Sequence, residues 1–412
     1  MRAALHQAGA SALSQLMRCE PPGAQERERP CPCGQQARYR EMRARHVLTV
    51  VGRAEFSRPW YFCSRCHPGH FPGHFPADTA LDIEKTDWSP GVRRMLALVG
   101  SGAPFGHGRE QMARLAGLEV TTKSVERTAE AMGADIARQE QQEIQRAVQL
   151  DLPMIIGEPV PVLYIEMDGT GVPVVKKETA GRQGKLDGRP AHPRVFTQTP
   201  WDPKGFPIRD PDSTTDTGAI ENAEPFGKRL YVEAWKRGWS CAKQKVVLGD
   251  GAEWIWNIAH EHFPSAIQII DLFHARQHLW DLARLLHPHD TKRRHQWIGW
   301  HQKRWLDKGQ IAKRVASLRS LQVSDAPLAK KIRNEADYFA NHAARMNYTQ
   351  FRKQHLFIGS GVIEAGCKSV VGHRLKQSGM FWTVYRTNSI LALPGSHLNN
   401  RFENYGESRR VA

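Results

Sequence analysis

The chain has 412 residues, more than one compact domain usually holds, so we expect two or three domains. Lysine and arginine outnumber aspartate and glutamate by 58 to 42, and the net charge of +16 favours a polyanionic partner such as nucleic acid. The sequence has no apolar run of membrane-spanning length and no apolar core typical of a signal peptide, so we expect a cytoplasmic protein without a membrane partner.

Residues 1–30 show no clear period and end in the charged run QERERP, which predicts a flexible N-terminal segment. Residues 31–76 contain two cysteine pairs, C-x-C and C-x-x-C, at the ends of an alternating stretch centred on Gly52-Arg53. This pattern predicts a β-hairpin that holds one Zn²⁺ as a small zinc ribbon. The candidate zinc ligands are Cys31, Cys33, Cys63 and Cys66. Cysteines without metal are the alternative. The histidines that could replace one thiolate are His67, His70 and His74.

Residues 77–155 predict a helical domain, because apolar residues recur at helical spacing from about Ser89 to Val148. Two short helices across a Gly-containing break have the outline of a helix-turn-helix, with Thr121 or Thr122 as the cap of the second helix. The candidate DNA-binding residues of that helix are Lys123 and Arg127. Plain core helices are an equally good interpretation.

From residue 156 to 412 the sequence alternates between strands and helices. VLYIEMDGTGVPVVKK predicts two strands around a turn at residues 168–171, and RVFTQT predicts a third. A helix, the strand QKVVLGD, a second helix, the strand AIQIID and a third helix follow. This is the element order of the RNase H fold, so we expect an α/β, RNase H-like catalytic domain. The charged, strand-free residues from about 280 to 355 predict an all-helical insertion in it.

Three carboxylates take related positions in this predicted domain. Asp168 ends the first strand, Asp250 ends the fourth, and Glu364 begins a helix after the insertion. The first and fourth strands are neighbours in that fold, so both aspartates are expected at one edge of the sheet. Mg²⁺ prefers oxygen ligands, and two ions about 4 Å apart can serve both oxygens of a phosphodiester reaction. The joint placement predicts a site for Mg²⁺ or Mn²⁺, whereas each carboxylate alone is typical of a turn or a solvated helix face.

Asp271 ends the fifth strand and is the main rival of Asp250 for the second position. It opens the pattern D-x-x-H-x-x-x-H, which places Asp271, His274 and His278 on one helical face. A zinc site is one interpretation of this spacing. The other is that Asp271 and His274 support the active site by fixing the junction between strand and helix.

A basic and aromatic segment, KSVVGHRLKQSGMFW, follows Glu364. Cations beside a catalytic helix suit a phosphate track, and an aromatic ring can stack on an unpaired base. The packed end of an amphipathic helix is the alternative. The candidate DNA-binding residues of this segment are Lys368, Arg374, Lys376 and Trp382.

At these residues the sequence resembles the ISKra-type insertion-sequence transposases, a branch near the Mutator-like enzymes. The resemblance runs in the family's order from about residue 31 to 404, over CPCG to CSRC, MDGTGVPVVKKE, RDPDSTT, VVLGDGAEWIWN, DLFHARQHLW and GSGVIEAGCKSVVGHRLKQSGMFWT. It implies a DDE triad at Asp168, Asp250 and Glu364, while Asp271 and His274 match the family's aspartate-x-x-histidine signature. It also implies a bacterial, nucleoid-associated enzyme that binds terminal inverted repeats and target DNA and cleaves and joins strands. Since two element ends are paired, we expect a homo-oligomer on DNA.

Two features depart from the family. Where the family closes with a Leu-Arg pair and a terminal Tyr-Trp, this chain has Pro394 and Gly406, and the proline is expected to end the last helix early. The echo GHFPGHFP at residues 69–76 looks like a short duplication beside the cysteines. Two alternatives to an active transposase follow: a decayed or repurposed copy that only binds DNA, and an RNase H-like nuclease that cleaves without joining.

Overall fold

The computed structural model describes residues 1–31, 33–66, 73–149, 160–179, 187–188, 191–199, 208–359, 361–377 and 379–405. The chain forms two compact units, Met1–Ile136 with the residues from Asn400 onward, and Ala137–Asn399. The sequence-based domains at 1–30, 31–76, 77–155 and 156–412 have other boundaries and stay predictions. His67, His70 and Gly406 lie outside the described residues.

The first unit combines helices with a small antiparallel sheet. Its helices are α1 (Arg2–Leu16), α2 (Pro76–Ala80), α3 (Pro90–Gly102), α4 (Phe105–Gln111), which a π-helical turn continues to Ala116, and α5 (Thr122–Val148), which begins in this unit. Its strands are β1 (Glu28–Pro30), β2 (Gln36–Thr49) and β3 (Gly52–Phe62). The sheet order is β1-β2-β3. Along β3 buried and exposed residues alternate up to Trp60, so one face of the hairpin forms part of the core.

The β2–β3 hairpin confirms the predicted antiparallel pair, but its turn lies elsewhere. Thr49 pairs with Gly52, so Val50 and Val51 form the turn and the prediction centred on Gly52-Arg53 is wrong. Gly52 has φ +109°, which a residue with a β-carbon rarely adopts. The Thr49 hydroxyl donates to the Gly52 carbonyl at 2.6 Å, which closes the turn. The positive φ at this position therefore explains why residue 52 is a glycine.

Helix α1 occupies part of the segment that we expected to be flexible. It packs on the turn end of the hairpin, where a β-carbon at Gly9 would lie 2.8 Å from Val51 Cβ. The Ser14 hydroxyl accepts a hydrogen bond from the Glu55 backbone N–H at 2.9 Å. The prediction of a flexible segment is therefore wrong for Arg2–Leu16. Its small residues give no clear apolar period, and contact with the hairpin stabilises the helix instead.

A buried ion pair joins β3 to α2. Arg58 and Asp78 are 4% and 3% exposed, and the guanidinium donates to both carboxylate oxygens at 2.7 and 3.0 Å. The remaining Arg58 nitrogen, Nη1, donates to the carbonyls of Arg43 and Ala44, each at 3.0 Å. Both charges are thus compensated inside the fold, as a buried pair requires.

Helices α3, α4 and α5 confirm the predicted helical stretch. Of the two candidate caps, Thr121 caps α5, since its hydroxyl accepts the Ser124 backbone N–H at 3.0 Å. Gly117, at φ +68°, lies in the turn between α4 with its π-helical continuation and α5. The two helices keep the outline of a helix-turn-helix, and DNA contact by them stays a prediction.

The second unit is built on a mixed sheet. Its strands are β4 (Val162–Gly169), β5 (Val172–Pro173), β6 (Asp187–Gly188), β7 (Ala191–Thr199), β8 (Ile208–Arg209), β9 (Thr215–Asp216), β10 (Gln244–Gly249) and β11 (Ile267–Ile270). The order is β11-β10-β4-β7-β8, and β9 also pairs with β7. Strand β10 runs parallel to β4 and β11, whereas β7 runs antiparallel to β4. The unit is therefore mixed α/β, as predicted.

Strand β5 does not join this sheet. It pairs with β6 in a separate two-stranded sheet, so the predicted strand after the turn is present at Val172–Pro173, but the strand that pairs with β4 in the main sheet is β7. The core lies on both faces of β4, whose residues from Val162 to Met167 are all buried. Tyr164 stacks on Phe196 of β7, with ring centroids 4.9 Å apart.

Helices account for most of the second unit. They are α6 (Lys176–Thr179), α7 (Ala223–Lys236), α8 (Glu253–His262), α9 (Leu272–Leu286), α10 (Thr291–His301), α11 (Ile311–Arg319), α12 (Ala326–Asn341), α13 (Tyr348–Lys353), α14 (Gly361–Gly366), α15 (His373–Leu375) and α16 (Val384–Leu398). Between α9 and α14 the described residues contain no strand, in agreement with the predicted helical insertion. A π-helical segment, Cys367–Gly372, joins α14 to α15. No helix in the described ranges has the length and apolar content that crossing a bilayer requires.

Helix α16 contradicts the expectation that Pro394 ends the last helix early, because it continues to Leu398. The residues around the proline are buried, among them Ile390 and Leu393. Asn388 and Asn399 also fix the helix by hydrogen bonds of 2.7 and 2.8 Å from the backbone N–H groups of Ile220 and Asp216. Packing and these bonds offset the hydrogen bond that the proline removes.

Candidate metal centre

Three aspartates lie in a row at the carboxyl ends of adjacent strands. Asp168 is near the end of β4, Asp250 follows β10 and Asp271 follows β11. The residues immediately before them pair with one another across the three parallel strands. The pairing of β4 with β10, which the sequence predicted, is confirmed. It brings Asp168 and Asp250 to one edge, and the register adds Asp271 on the far side of Asp250.

Glu364, on α14, lines the same cavity as the three aspartates, and the cavity has a volume of about 250 Å³. Phe273, His274 and Gln277, on the first turns of α9, line it as well. Among the described residues around the cavity there is no lysine or arginine, although the chain carries a net charge of +16. Four carboxyl groups without a cationic neighbour in the wall favour a bound cation.

Each aspartate has one carboxylate oxygen held by a donor of the protein. Asp250 Oδ1 accepts the Ala252 backbone N–H at 2.9 Å. Asp271 Oδ1 accepts the Phe273 backbone N–H at 2.7 Å and so caps α9. Asp168 Oδ2 accepts the Cys367 thiol at 3.3 Å. These bonds fix the carboxylates before any ion binds. They therefore lower the entropy cost of ordering these side chains when a metal ion binds.

The chemistry of the donor set fits Mg²⁺ or Mn²⁺. These ions prefer carboxylate oxygen and retain several waters, so a few converging carboxylates in a small cavity are sufficient. Asp168 and Asp250 are half-buried and Glu364 is exposed, whereas Asp271 is only 3% exposed. Because Asp271 is buried and serves as the cap of α9, Asp250 is the better placed of the two rivals.

The histidines after Asp271 do not gather into a second metal group. His274 lines the cavity, and its ring lies 5.4 Å from the ring of His278. His278 instead hydrogen-bonds through Nδ1 to Glu335 Oε2 at 2.8 Å. Within the described parts of the chain, only the N-terminal cysteines bring three or more potential ligand atoms within metal-site spacing; neither Asp271 with the two histidines nor the carboxylates around the cavity do so in this conformation. The zinc interpretation of this pattern has no support in the geometry.

The four N-terminal cysteines converge as a zinc ribbon requires. Their sulfur atoms all lie within 4.8 Å of one another, and none forms a disulfide. Two of the separations are 3.4 Å, from Cys31 to Cys66, and 3.7 Å, from Cys33 to Cys63. Sulfurs at the corners of a tetrahedron around Zn²⁺, about 2.3 Å from the ion, are roughly 3.8 Å apart. The group can therefore hold one zinc ion, and His74 is not part of it.

The acidity of these thiols also suits metal binding. Hydrogen bonds from the Cys66 thiol and from the Gln35 backbone N–H lower the pKa of Cys33 to about 7. The bond with Cys33 in turn raises the pKa of Cys66. Since a metal binds the thiolate, a cysteine that ionises near neutral pH is a favourable first ligand.

The basic segment after Glu364 divides into exposed and buried residues. Lys368 and Lys376 are exposed, as the DNA-binding interpretation requires. Arg374 and Trp382 are 1% and 6% exposed, and the guanidinium carbon lies 4.8 Å from the centre of the indole ring. The Trp382 indole N–H donates to the Leu375 carbonyl at 3.2 Å. These two side chains pack on each other, so their prediction as DNA contacts is wrong for this conformation.

Other candidate DNA contacts are on the surface. Lys123 and Arg127, on the first turns of α5, are both exposed, and Lys123 forms an ion pair of 2.9 Å with Glu126. The exposed aromatic side chains near the basic segment are Phe381 and Tyr385, at 67% and 69%. Exposure alone does not identify a ligand, so DNA contact by Lys123 and Arg127 stays a prediction.

Three residues of the site were not identified from sequence. Cys367 lies one turn after Glu364, and that spacing was a readable signal. Phe273, 59% exposed, lies next to His274 in the cavity wall. The sequence does not show that this phenyl ring lies beside the carboxylates, because only the fold places it there. Tyr338 donates its hydroxyl to the Asp250 carbonyl from the distant helix α12, for which the sequence holds no signal.

Comparison with known proteins gives no family for the chain. No protein-family model matches it, and no curated protein matches its sequence. A solved structure, the Drosophila P element transposase strand transfer complex, is similar at 8% identity and a TM-score of 0.27, over 78% of this chain and 82% of that chain. At a TM-score this low, the two folds are too different for one to inform the other.

Proposed function

We propose that this chain is a DNA transposase of the bacterial insertion-sequence type, which binds the ends of its element and catalyses metal-dependent strand cleavage and strand transfer. The observation that carries the proposal is the row of Asp168, Asp250 and Asp271, which shares one cavity with Glu364. Such a cluster of carboxylates at the end of parallel strands suits metal-dependent phosphodiester chemistry, and the net charge of +16 suits a nucleic-acid substrate.

In this proposal Asp168, Asp250 and Glu364 hold Mg²⁺ or Mn²⁺. If held there, divalent ions would supply activation of the attacking oxygen and charge stabilisation of the leaving oxygen of the phosphodiester. The Cys367 thiol and the Ala252 N–H orient the two aspartates through the bonds described above. Asp271 and His274 support the site, because Asp271 fixes the start of α9 and with it the wall of the cavity.

The strand arrangement supports an RNase H-like catalytic domain. A central β4 has an antiparallel neighbour on one side and two parallel strands on the other, which is the arrangement expected from the element order of the sequence. The helical insertion then lies between Asp250 and Glu364 in the sequence.

Exposed residues near the carboxylates support DNA as the partner. The terminal repeats and the target DNA are the two proposed partners. Lys368 and Lys376 lie on the elements that follow Glu364 and are exposed, so they can bind phosphate. Phe273 offers an apolar face beside the carboxylates on which an unpaired base can stack. The cysteine group with Zn²⁺ and the helices around Gly117 supply further DNA contacts. A homo-oligomer on paired ends and a place near the bacterial nucleoid complete the proposal.

The test replaces each carboxylate by its amide, which removes the charge and keeps the shape. Nicking and joining of a labelled duplex, cut from the inverted repeats that flank the gene, would be measured in Mg²⁺ and Mn²⁺, and binding of the same duplex in Ca²⁺. Asp168→Asn, Asp250→Asn and Glu364→Gln should bind normally and cleave several orders of magnitude more slowly. Asp271→Asn should lose activity only in part. Asp337→Asn, an exposed aspartate on α12, is the matched control and should behave as wild type.

Each alternative has its own outcome. Nicking that survives in Asp250→Asn but not in Asp271→Asn would exchange their roles. Hydrolysis without joined products would identify a nuclease. A wild-type chain that binds the duplex and never nicks it would favour a decayed or repurposed DNA-binding protein. Wild-type protein that neither binds nor nicks the duplex would refute the proposal.

A further inference from the structure

The helical insertion contacts the candidate metal centre through one side chain. Tyr338, on α12, donates its hydroxyl to the backbone carbonyl of Asp250 at 3.3 Å. Its ring also packs on the next residue: a β-carbon at Gly251 would lie 2.8 Å from the tyrosine oxygen and 2.9 Å from Cε2. Tyr338 therefore contacts both residues of the turn that presents the Asp250 carboxylate.

Tyr338 is itself held from two sides. Its ring stacks on His278 of α9, with centroids 3.9 Å apart and planes 14° from parallel. His278 Nδ1 bonds to Glu335, which is one turn before Tyr338 on α12 and also pairs with Lys331 at 3.0 Å. Stacking and ion pair together leave the ring little freedom to leave the turn.

A tyrosine hydroxyl is protonated at neutral pH and can donate to a backbone carbonyl. The geometry therefore assigns a hydrogen bond from Tyr338 to Asp250.

We propose that Tyr338 is a positioning residue: the insertion fixes the Asp250–Gly251 turn through this hydroxyl, so that the carboxylate of Asp250 is ready for the metal ion. The inference rests on the proposed function, because it assigns Asp250 to the metal. The Asp250 side chain bonds to the Ala252 N–H at 2.9 Å, so the Tyr338 hydroxyl and this N–H together fix the turn at the carbonyl and at the carboxylate.

Tyr338→Phe tests this role, because phenylalanine keeps the ring on His278 and Gly251 and removes only the hydroxyl. Binding of Mn²⁺ would be followed by electron paramagnetic resonance without DNA, and melting temperature by circular dichroism. Loss of one hydrogen bond that orients a ligand should raise the Mn²⁺ dissociation constant about three- to tenfold. The melting temperature should fall by no more than about 2 °C, the effect of one lost hydrogen bond. The Mg²⁺ concentration for half-maximal nicking should rise by the same factor.

Tyr348→Phe is the matched control. Tyr348 is fully buried, and among the described residues its hydroxyl has no hydrogen-bond partner, so this variant should bind Mn²⁺ as wild type does. Equal Mn²⁺ affinity in wild type and Tyr338→Phe would overturn the role of Tyr338 and leave the metal site standing. Wild type without Mn²⁺ binding would instead remove the proposed site itself and this role with it. A Tyr338→Phe variant that loses Mn²⁺ and also melts more than about 5 °C earlier would show a structural role and overturn the inference.

Discussion

Replacement of Gly251 by alanine is the sharpest test of the turn after β10. Gly251 has φ +100°, and a side chain at such a φ costs about 1–3 kcal/mol. The new methyl group would also come within 2.8–3.3 Å of the Tyr338 hydroxyl oxygen and two atoms of its ring. That ring is stacked on His278 and cannot move aside easily, so overpacking should cost about 1–3 kcal/mol more. We expect Gly251→Ala to lower the free energy of unfolding by about 2–6 kcal/mol.

The assay is urea denaturation followed by tryptophan fluorescence, with Gly299→Ala as the control for the same chemical change. Gly299 lies in α10 with no atom within 4 Å of a β-carbon there, so alanine should stabilise the chain by about 0.5–1 kcal/mol. Combining Gly251→Ala with Tyr338→Leu should recover the overpacking part and leave the backbone part. A Gly251→Ala variant as stable as wild type would refute both the backbone strain and the contact with Tyr338.

Three further predictions follow from other parts of the chain. Asp78→Asn leaves the buried guanidinium of Arg58 opposite an uncharged amide, and it should lower the free energy of unfolding by about 3–5 kcal/mol in urea. Zinc analysis of freshly reduced protein should find about one ion per chain, and Cys63→Ser should lose most of it, because one of four thiolates is gone. Burial and the neighbouring Arg314 cation lower the pKa of His301 from 6.5 to about 3, so the unfolded chain takes up this proton first as pH falls. Stability should therefore fall from about pH 6.5 towards pH 3, and His301→Gln should have a flatter profile there.

Two of the three have a matched control variant, and each has an outcome that would contradict it. Glu224→Gln breaks an exposed ion pair with Lys228 and should change stability by less than about 1 kcal/mol, so an equal loss in both variants would contradict the ion-pair argument. Cys241→Ser, outside the cysteine group, should keep its zinc. Zinc-free wild type, prepared under reducing conditions, would remove the ribbon. A His301→Gln profile parallel to wild type between pH 6.5 and 3 would mean that other groups control acid unfolding.

The positions of Asp168 and Asp250 could be predicted from the sequence, because each follows a local pattern that indicates a strand. The apolar runs before Asp168 and Asp250 indicate buried strands, and the pairing of those strands then fixed which edge both residues share. Tyr338 could not be predicted, since 88 residues separate it from Asp250 and helical packing alone brings them together. The same limit applied to Arg374 and Trp382: their types suit DNA, but only packing decides which side of a segment is buried.

The extent of two helices could not be predicted either, because tertiary contacts determine it. Helix α1 has little periodicity of its own, and its formation depends on Val51 and Glu55 in the hairpin. A proline normally ends a helix, yet the buried residues around Pro394 keep α16 intact. Local propensity is a weak guide whenever burial on a neighbouring element contributes more free energy than the local preference costs.

The long hairpin of the first unit is secured differently at its two ends. At the turn, α1 packs on Val51 and the Thr49 hydroxyl closes the chain, whereas the open end is held by the four cysteines, the short strand β1 and the backbone bonds between Tyr61 and His74. An ion held by those sulfurs would stabilise the open end of the β2–β3 hairpin, whose turn end is already held by α1. Removal of the ion would therefore let the strands fray from Cys31 and Cys63 inward while Thr49 and Gly52 stay paired. Amide hydrogen exchange in the zinc-depleted chain should then form a gradient along β2 and β3, fastest at the cysteines and slowest beside α1.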